Sequence, residues 1–540
     1  MKTKLYLFLA AVMCFVSLHA EEFTVKGIKY NGDEATMTAT VVGTEDNFNE
    51  ANVVIPEIVN GYMVTSIGDR AFRGTSLKSF VMPNTVICIG YRSFFRCTDL
   101  ESITVSNTLM TIGDQAFREC TNLKAIVLPE TIEEIGALAF EECSNIESIE
   151  IPVTAPLEII QQGCFAVCSK LASFTMPSSV KTIKDNAFQG CSSLSSLYLP
   201  SSVTKIEYDE DKHGHHPFIY CSNLKSIIVD KNNPVYDSRD NCNSIIETAT
   251  NKLMVGCMNS TIPTGVIEIG PSAFCEQYGL SSIEIPSTVT TIDDMAFMES
   301  GLNSINIPSS ITNLGLDIFN RCNSLISATL PDSWESIPCA LFIFCTKLEN
   351  VNIPNSVKSI EEMAFRRCES LKTIDIPQSV ETIGRQAFQG CVSMECVTIP
   401  ESVKTIEGKA FGNCNSLKSV TSLFSTPFEL NEDVFQNVNV NEEQNTTTSF
   451  TSATLYVPKG CKEKYKATAG WNQFKIILEE GELFGDVNGS GAVDADDVTC
   501  LAYYILGLNP SPFNESVADV NGDERVDIED VTAVINIIMQ

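Results

Sequence analysis

The sequence predicts an α/β-type solenoid, a stack of short coils with a parallel β-sheet along one face, followed by a small all-α module. Three observations predict it. A phenylalanine-centred phrase recurs at short, regular intervals; each copy carries a strand-like triplet ended by proline; and the carboxyl end holds two matching acidic loops.

The amino end sets the compartment. Lys2 and Lys4 precede an apolar run from Leu5 to Leu18, which closes on Leu18-His19-Ala20 ahead of Glu21-Glu22. That is the pattern of a secretory signal peptide over residues 1–20, too short to span a bilayer as a mature helix. A lipoprotein reading would need a small residue before Cys14, where Met13 stands. No later stretch reaches the ~20 unbroken apolar residues of a membrane span. The expected location is secreted or at the cell surface of a bacterium.

Acidic residues number 68 against 36 basic ones, a net charge of −32, while 44% of residues are hydrophobic. The chain can bury a core, so the charge belongs on its surface. A polyanion of this size is repelled by phosphate backbones and anionic lipid, which argues against a nucleic-acid partner.

The recurring phrase is Cys-x-x-Leu-x-x-Ile-x-Ile-Pro-x-x-Val-x-x-Ile-Gly-x-x-Ala-Phe-x-x-Cys. Its phenylalanine runs from Phe72 and Phe94 to Phe411 and Phe435, mostly 22 or 23 residues apart, with longer gaps after Phe140, Phe188 and Phe218. Such a unit cannot bury a core alone and must stack on its copies. The triplets Ile149-Glu150-Ile151 and Ile374-Asp375-Ile376 alternate as half-buried strands do, and Pro152 and Pro377 end them. At the ~4.8 Å spacing of strands, about fifteen coils predict a curved rod of roughly 70 Å.

Residues 21–60 are strand-rich without the phrase and suit an amino-terminal cap. The solenoid spans 61–435, with a variant coil at 222–272 holding the runs Ser244–Glu247 and Lys252–Gly256. Residues 436–480, with Trp471 and Phe474, suit the opposite cap, and 481–540 form the last module.

Eleven cysteines, from Cys97 and Cys120 to Cys391 and Cys414, sit three residues after a repeat phenylalanine. A column at fixed phase is what a small buried residue makes in a solenoid core. Free thiols are therefore expected rather than a disulfide framework, although neighbours would lie within disulfide reach. No coil offers the Cys-x-x-Cys pair of a zinc site.

The Ile-Pro-x-x-Val-x-x-Ile-Gly-x-x-Ala-Phe-x-x-Cys-x-x-Leu phrase resembles that of the BspA-type leucine-rich-repeat proteins of host-associated anaerobic bacteria. The resemblance covers roughly residues 50 to 480, including Asn233–Ser238 and Tyr456–Gly460. It implies a leucine-rich-repeat coil stack, and it implies surface adhesion to host proteins.

After Glu479-Glu480-Gly481, two segments offset by 33 residues match, one starting at Asp486 and one at Asp519. Each sets side-chain oxygens at loop positions 1, 3, 5, 9 and 12, with the backbone carbonyl of Ala492 or Arg525 at position 7. Calcium takes six to eight oxygens in such a shell. The stripes Val498, Leu501, Ala502, Ile505 and Val531, Val534, Ile535, Ile538 predict two helices packed on each other.

The tandem is similar to a type I dockerin, a calcium-binding docking domain. That likeness implies two Ca²⁺ sites, ligated by Asp486, Asn488, Ser490, Asp494 and Asp497, and by Asp519, Asn521, Asp523, Asp527 and Asp530. Glu524 stands where glycine permits the sharp turn, so it must tolerate positive φ or distort the second loop. The likeness also implies that loop positions 10 and 11 help select a cohesin partner. Here they are Ala495-Asp496 and Ile528-Glu529, a mismatch that argues against symmetric binding.

Catalytic constellations are missing from the sequence. Beyond the leader, histidine occurs only at His213, His215 and His216, in one acidic stretch that is either a solvated insertion or a metal-holding tract. No Ser-His-Asp triad can be drawn across segments, and no Gly-x-Ser-x-Gly, His-Glu-x-x-His or phosphate loop occurs. Among outward strand positions, small hydroxyls dominate; Tyr198 and Ile228, with the histidine stretch near them, are the candidate partner-binding patch.

The sequence thus points to a non-enzymatic extracellular or cell-surface binding protein with a calcium-dependent docking tail. Its expected partners are extracellular proteins, host macromolecules among them. The alternative is a structural component of a multi-protein extracellular complex, recruited through the tail.

Overall fold

The computed structural model describes residues 20–208, 215–440, 446–523 and 525–539. The leader up to residue 19, the acidic–histidine stretch 209–214 with His213, and Glu524 lie outside the described residues. The chain forms two compact units, Met1–Ser300 and Gly301–Gln540.

In the first unit, Ala20–Val25, Ile28–Asp33 and Thr38–Thr44 form an antiparallel meander, and the last of these lies parallel to Tyr62–Ile67. From there the coils follow a three-sided path. One side is the predicted triplet: Asn52–Val54, Ser79–Val81 and Ser102–Thr104 pair in parallel, as do Ala125–Val127 with Ser148–Glu150. Proline closes this side, its carbonyl accepting the N–H of the apolar residue three positions on, as Pro83 does from Val86. The second side is a two-residue strand ending in the repeat isoleucine; Cys88–Ile89, Thr111–Ile112 and Glu134–Ile135 stack in parallel. A single sheet face was expected from the sequence. Each such coil instead feeds two ladders, because the stretch after the proline turn also extends and finds its own copies.

The third side is the Ala-Phe corner, built of turns. Here N–H groups two residues apart reach the following coil: Arg70 to the Tyr91 carbonyl, Phe72 to that of Ser93, Gly74 to that of Phe95. Two positive-φ residues flank the phenylalanine, such as Arg92 (φ 52°) and Arg96 (φ 60°) around Phe94. Left-handed backbone costs a side-chain-bearing residue roughly 1–2 kcal/mol, and the hydrogen bonds to the next coil hold it in place. Glycine after the repeat isoleucine answers a different need. A Cβ on Gly113 would stand 2.8 Å from the backbone of Gly90 and Tyr91, one coil earlier.

The core of this unit is a column of rings. Phe72, Phe94, Phe117 and Phe140 are fully buried and stack with centroids 5.1–5.4 Å apart and planes within 10°. The predicted irregular segment contributes Tyr236–Asp237, Ile245–Glu247 and Lys252–Val255 as an antiparallel set, the last rejoining a parallel ladder at Glu268–Ile269. Not every triplet extends: Ser282 and Glu284 are exposed, but the triplet they bound forms no strand.

The second unit repeats the plan. Ser304–Asn306, Ser327–Thr329 and Asn350–Asn352 make one ladder; Ser336–Ile337, Ser359–Ile360, Thr382–Ile383 and Thr405–Ile406 make the other. A further ladder runs from Thr373–Ile374 through Cys396–Ile399, Ser419–Ser422 and Thr454–Val457 to Ile477–Glu479. The ring column of this unit ends at Phe435, where Phe474 meets it edge-on at 5.2 Å. Trp471 is fully buried there, and its indole N–H donates to the Phe428 carbonyl at 2.9 Å. Among the described residues this unit holds three α-helices: α1 (Lys462–Ala467), ahead of the last ladder strand, then α2 (Ala495–Ile505) and α3 (Ile528–Ile538).

All twenty cysteines beyond the leader are free thiols. Column members are buried at 0–2% exposure, and burial pushes Cys143, Cys221 and Cys414 up to about 12.

Candidate functional site

Each acidic loop wraps onto the helix that follows it. Asp494 and Asp527, in extended backbone, cap α2 and α3 by accepting the N–H of Asp496 and Glu529, both at 2.9 Å. Three residues on, Asp497 and Asp530 return the bond to the cap N–H at 2.8 Å, completing capping boxes. Position 1 anchors the turn: Asp486 accepts from Ser490 and Gly491, and Asp519 from Gly522 and Asp523. Position 3 adds another acceptor, Asn488 for the Ser490 N–H and Asn521 for the Asp523 N–H. Ser490 donates to the Ala492 carbonyl at 3.1 Å, and the Arg525 N–H donates to Asp523 at 3.0 Å. Gly491, at loop position 6, takes φ 89°; its counterpart Glu524 is outside the described residues.

Asp497 and Asp530 are completely buried, and Asp486 is 5% exposed. Asp497 also accepts from Asn488 N–H, and Asp530 from Val520 and Asn521 N–H. Neither buried carboxylate has an ion-pair partner among the described residues, and a buried anion without a counter-charge is costly. The donor set in both loops is all oxygen, the chemistry a hard divalent cation prefers. Among the described residues, no group of three or more His, Cys, Asp or Glu side chains clusters as a metal site. The loop carboxylates here accept from backbone N–H groups rather than converging on one point.

The module has its own small core of Val487, Leu501, Val517, Ala518, Val531 and Val534. Leu478 belongs to it at 0% exposure, and Tyr456 and Ile476 pack against it. Buried packing therefore crosses the boundary placed at residue 480 from sequence. Only part of each predicted stripe is buried. Ile505, Ile535 and Ile538 are 37%, 43% and 39% exposed, beside Leu506 at 71% and Met539 at 81%. The selector positions Ala495, Asp496, Ile528 and Glu529 are all exposed, Ile528 at 67%.

In the first unit, Tyr198 and Ile228 are direct cross-strand partners of Ser196–Leu199 and Ser226–Val229, and both are about half exposed. The Tyr198 hydroxyl donates to Asp230 at 2.6 Å, an extra contact that alternation did not reveal. The described histidines lie at the Ala-Phe corner instead. His215 meets Tyr220 edge-on, while His216 is buried with Nδ1 accepting from Phe218 N–H and Nε2 donating to the Ser272 carbonyl. Both its ring nitrogens are used, so His216 is a core residue rather than a metal ligand, and burial lowers its pKa to about 3.

The family model described as BspA type leucine rich repeat region matches in six copies, over residues 46–156, 89–210, 153–255, 250–353 and 335–463. The chain belongs to the BspA-type leucine-rich-repeat family. A second model, the dockerin type I domain, matches residues 484–539. No curated protein matches the chain. Among solved structures, a leucine rich cell surface protein from Faecalibacterium prausnitzii is similar at 26% identity and a TM-score of 0.53, covering 75% of this chain and 96% of its own. A leucine-rich repeat protein from Bacteroides ovatus is 26% identical with a TM-score of 0.44, covering 76% and 99%. This BspA-type chain thus joins two families of non-catalytic binding modules, of the kind found on bacterial surfaces and in extracellular assemblies. Among the described residues no helix is long and apolar enough to cross a membrane.

Proposed function

We propose that this BspA-type chain is a non-enzymatic, exported binding protein. Its coils present a protein-binding face, and its carboxyl-terminal module docks, with two Ca²⁺ bound, onto a cohesin-type partner. Asp486, Asn488, Ser490, the Ala492 carbonyl, Asp494 and Asp497 hold the first ion. Asp519, Asn521, Asp523, the Arg525 carbonyl, Asp527 and Asp530 hold the second. Calcium supplies the counter-charge that the buried Asp497 and Asp530 lack.

The observation that carries the docking half is the apolar surface left open on the helices. Ile505, Leu506, Ile535, Ile538 and Met539 stay in solvent although the module has a core to receive them. Contiguous exposed apolar side chains mark interaction surfaces. The same surface favours the second reading, recruitment into a multi-protein extracellular complex, over adhesion alone.

The test uses the full chain, immobilised with calcium or with chelator. Calcium-dependent capture of a bacterial protein bearing a cohesin-type module, lost in Ile535→Asp/Met539→Asp, supports recruitment into a complex. Binding of host matrix proteins that is indifferent to chelator supports adhesion through the coils. Calorimetry showing no bound calcium would overturn the docking mechanism.

A further inference from the structure

Positive charge is not spread evenly over this acidic chain. Nine of its eleven arginines lie within three residues of a repeat phenylalanine, on the Ala-Phe corners. Lysines are placed otherwise: Lys124, Lys181, Lys358, Lys404 and Lys418 each pair with a glutamate one coil earlier. In the first unit four of the five corner arginines converge on two rings, while Arg118 pairs with Glu119, Glu141 and Glu142 instead. Arg73, Arg92 and Arg96 hold their guanidinium carbons 5.5, 5.0 and 5.1 Å from the Phe95 centroid. Arg70 and Arg92 lie 5.5 and 4.9 Å from that of Tyr91.

Arg96 is neutralised by Glu119 at 2.8 Å. Arg70, Arg73 and Arg92 have no ion-pair partner among the described residues; Arg92 gives its Nε to Gln115 at 2.7 Å. Two acids flank the corner: Asp69 accepts the Tyr91 N–H at 2.8 Å, and the main-chain carbonyl of Asp114 accepts the Arg92 N–H at 3.0 Å. Phe95 is 6% exposed. A guanidinium resting on a ring face keeps its planar N–H edge free, and that fork matches the paired oxygens of sulfate or carboxylate. Phe344 in the second unit has three arginines at 5.7–5.9 Å, but Arg367 there is tied to Glu369 at 3.0 Å.

We infer that the Arg70–Arg73–Arg92 corner is an anion site that takes a sulfated polysaccharide. The three guanidiniums, none in an ion pair among the described residues, sit on two adjacent coils, about 4.8 Å apart along the stack. Screening beyond ~8 Å at physiological salt shields this patch from the distant acidic surface. A sulfated glycan sets its charges one or two per sugar and can lay two groups on the corner. Duplex DNA carries one charge per ~1.7 Å and would press the surplus against acidic neighbours.

The test is fluorescence anisotropy of a labelled heparin octasaccharide with the full chain at physiological salt. Binding is expected, with a roughly 10-fold loss for Arg92→Ala and about 100-fold for Arg70→Ala/Arg73→Ala/Arg92→Ala, as charged hydrogen bonds are removed. Lys124→Ala deletes the same charge from a paired site and is expected to change affinity less than about 2-fold. Arg92→Lys, which keeps charge but not the fork, is expected to weaken binding, and circular dichroism checks that each variant is folded. The inference is overturned if heparin does not bind, or if Lys124→Ala weakens binding as much as Arg92→Ala does. It is equally overturned if desulfated heparin, an acidic peptide or single-stranded DNA binds as tightly.

Discussion

The thiol of Cys97 donates to the main-chain carbonyl of Phe72, one coil earlier, at 2.9 Å. The same link recurs from Cys120 to Phe94, Cys143 to Phe117 and, in the second unit, Cys368 to Phe342. Each of these phenylalanine carbonyls sits where the corner turns, and the sulfur of the next coil fills the gap beneath it. The column is thus a set of inter-coil ties as well as small core packing.

Replacing Cys120 with alanine is expected to cost about 1–3 kcal/mol, from a lost hydrogen bond and a small cavity. Cys120→Ser keeps a donor and is expected to cost less. Urea unfolding of the purified chain measures both; equal losses would mean that the tie is immaterial.

Thiol burial also fixes the alkaline limit. Folded Cys143, Cys221 and Cys414 stay protonated to about pH 12, whereas unfolded cysteine ionises near 8.5. The unfolded state therefore binds fewer protons in between, and stability falls as pH rises. Each such thiol removes roughly 1.4 kcal/mol per pH unit above about 9. Denaturation midpoints should drop steeply between pH 8 and 10. In the native chain the exposed Cys339 and Cys396 should react with a thiol reagent long before the column does.

His216 sets the opposite limit. Its folded pKa of about 3 lies below the unfolded value near 6.5, so acid protonates the unfolded chain first and stability is lost as pH falls through that window. Between pH 7.5 and 4.5 the wild type should lose about 2–3 kcal/mol more than His216→Gln, measured by urea midpoints at the two pH values.

The ring column is expected to respond to shape. Phe117→Ala, which opens a hole between Phe94 and Phe140, should cost about 3–5 kcal/mol, and Phe117→Leu distinctly less. Thermal unfolding of the two variants checks the order.

Asp497 is expected to serve folding and calcium together. Asp497→Asn retains the shape but halves the acceptor capacity for Asn488 and Asp494 N–H, and should remove one of two calcium-binding events by calorimetry. Asp496→Asn, exposed one residue earlier, should leave both.

The coils were legible because period and alternation translate directly into burial: Phe72, Ile149 and Leu123 stand where the phrase puts them. The second ladder was not, since a two-residue strand such as Thr111–Ile112 carries too little alternation to register. The two helices α2 and α3 followed from the apolar stripes of Val498–Ile505 and Val531–Ile538, whereas the capping boxes of Asp494 and Asp527 came only from the structure. The uncovered ends of α2 and α3 were not legible either, because an apolar stripe cannot say what will cover it. His216 and the arginine corners were likewise hidden. Burial of one, and convergence of the others on Tyr91 and Phe95, arise from contacts between coils that no single repeat displays.

Leu478 sits in the last strand of the coil ladder and also in the core of the helical module. No slack tether separates the two, so the partner proposed for α2 and α3 would be held at a set pose against the final coils. Truncation ahead of residue 481 would leave Leu478 bare and turn a finished end into an adhesive one.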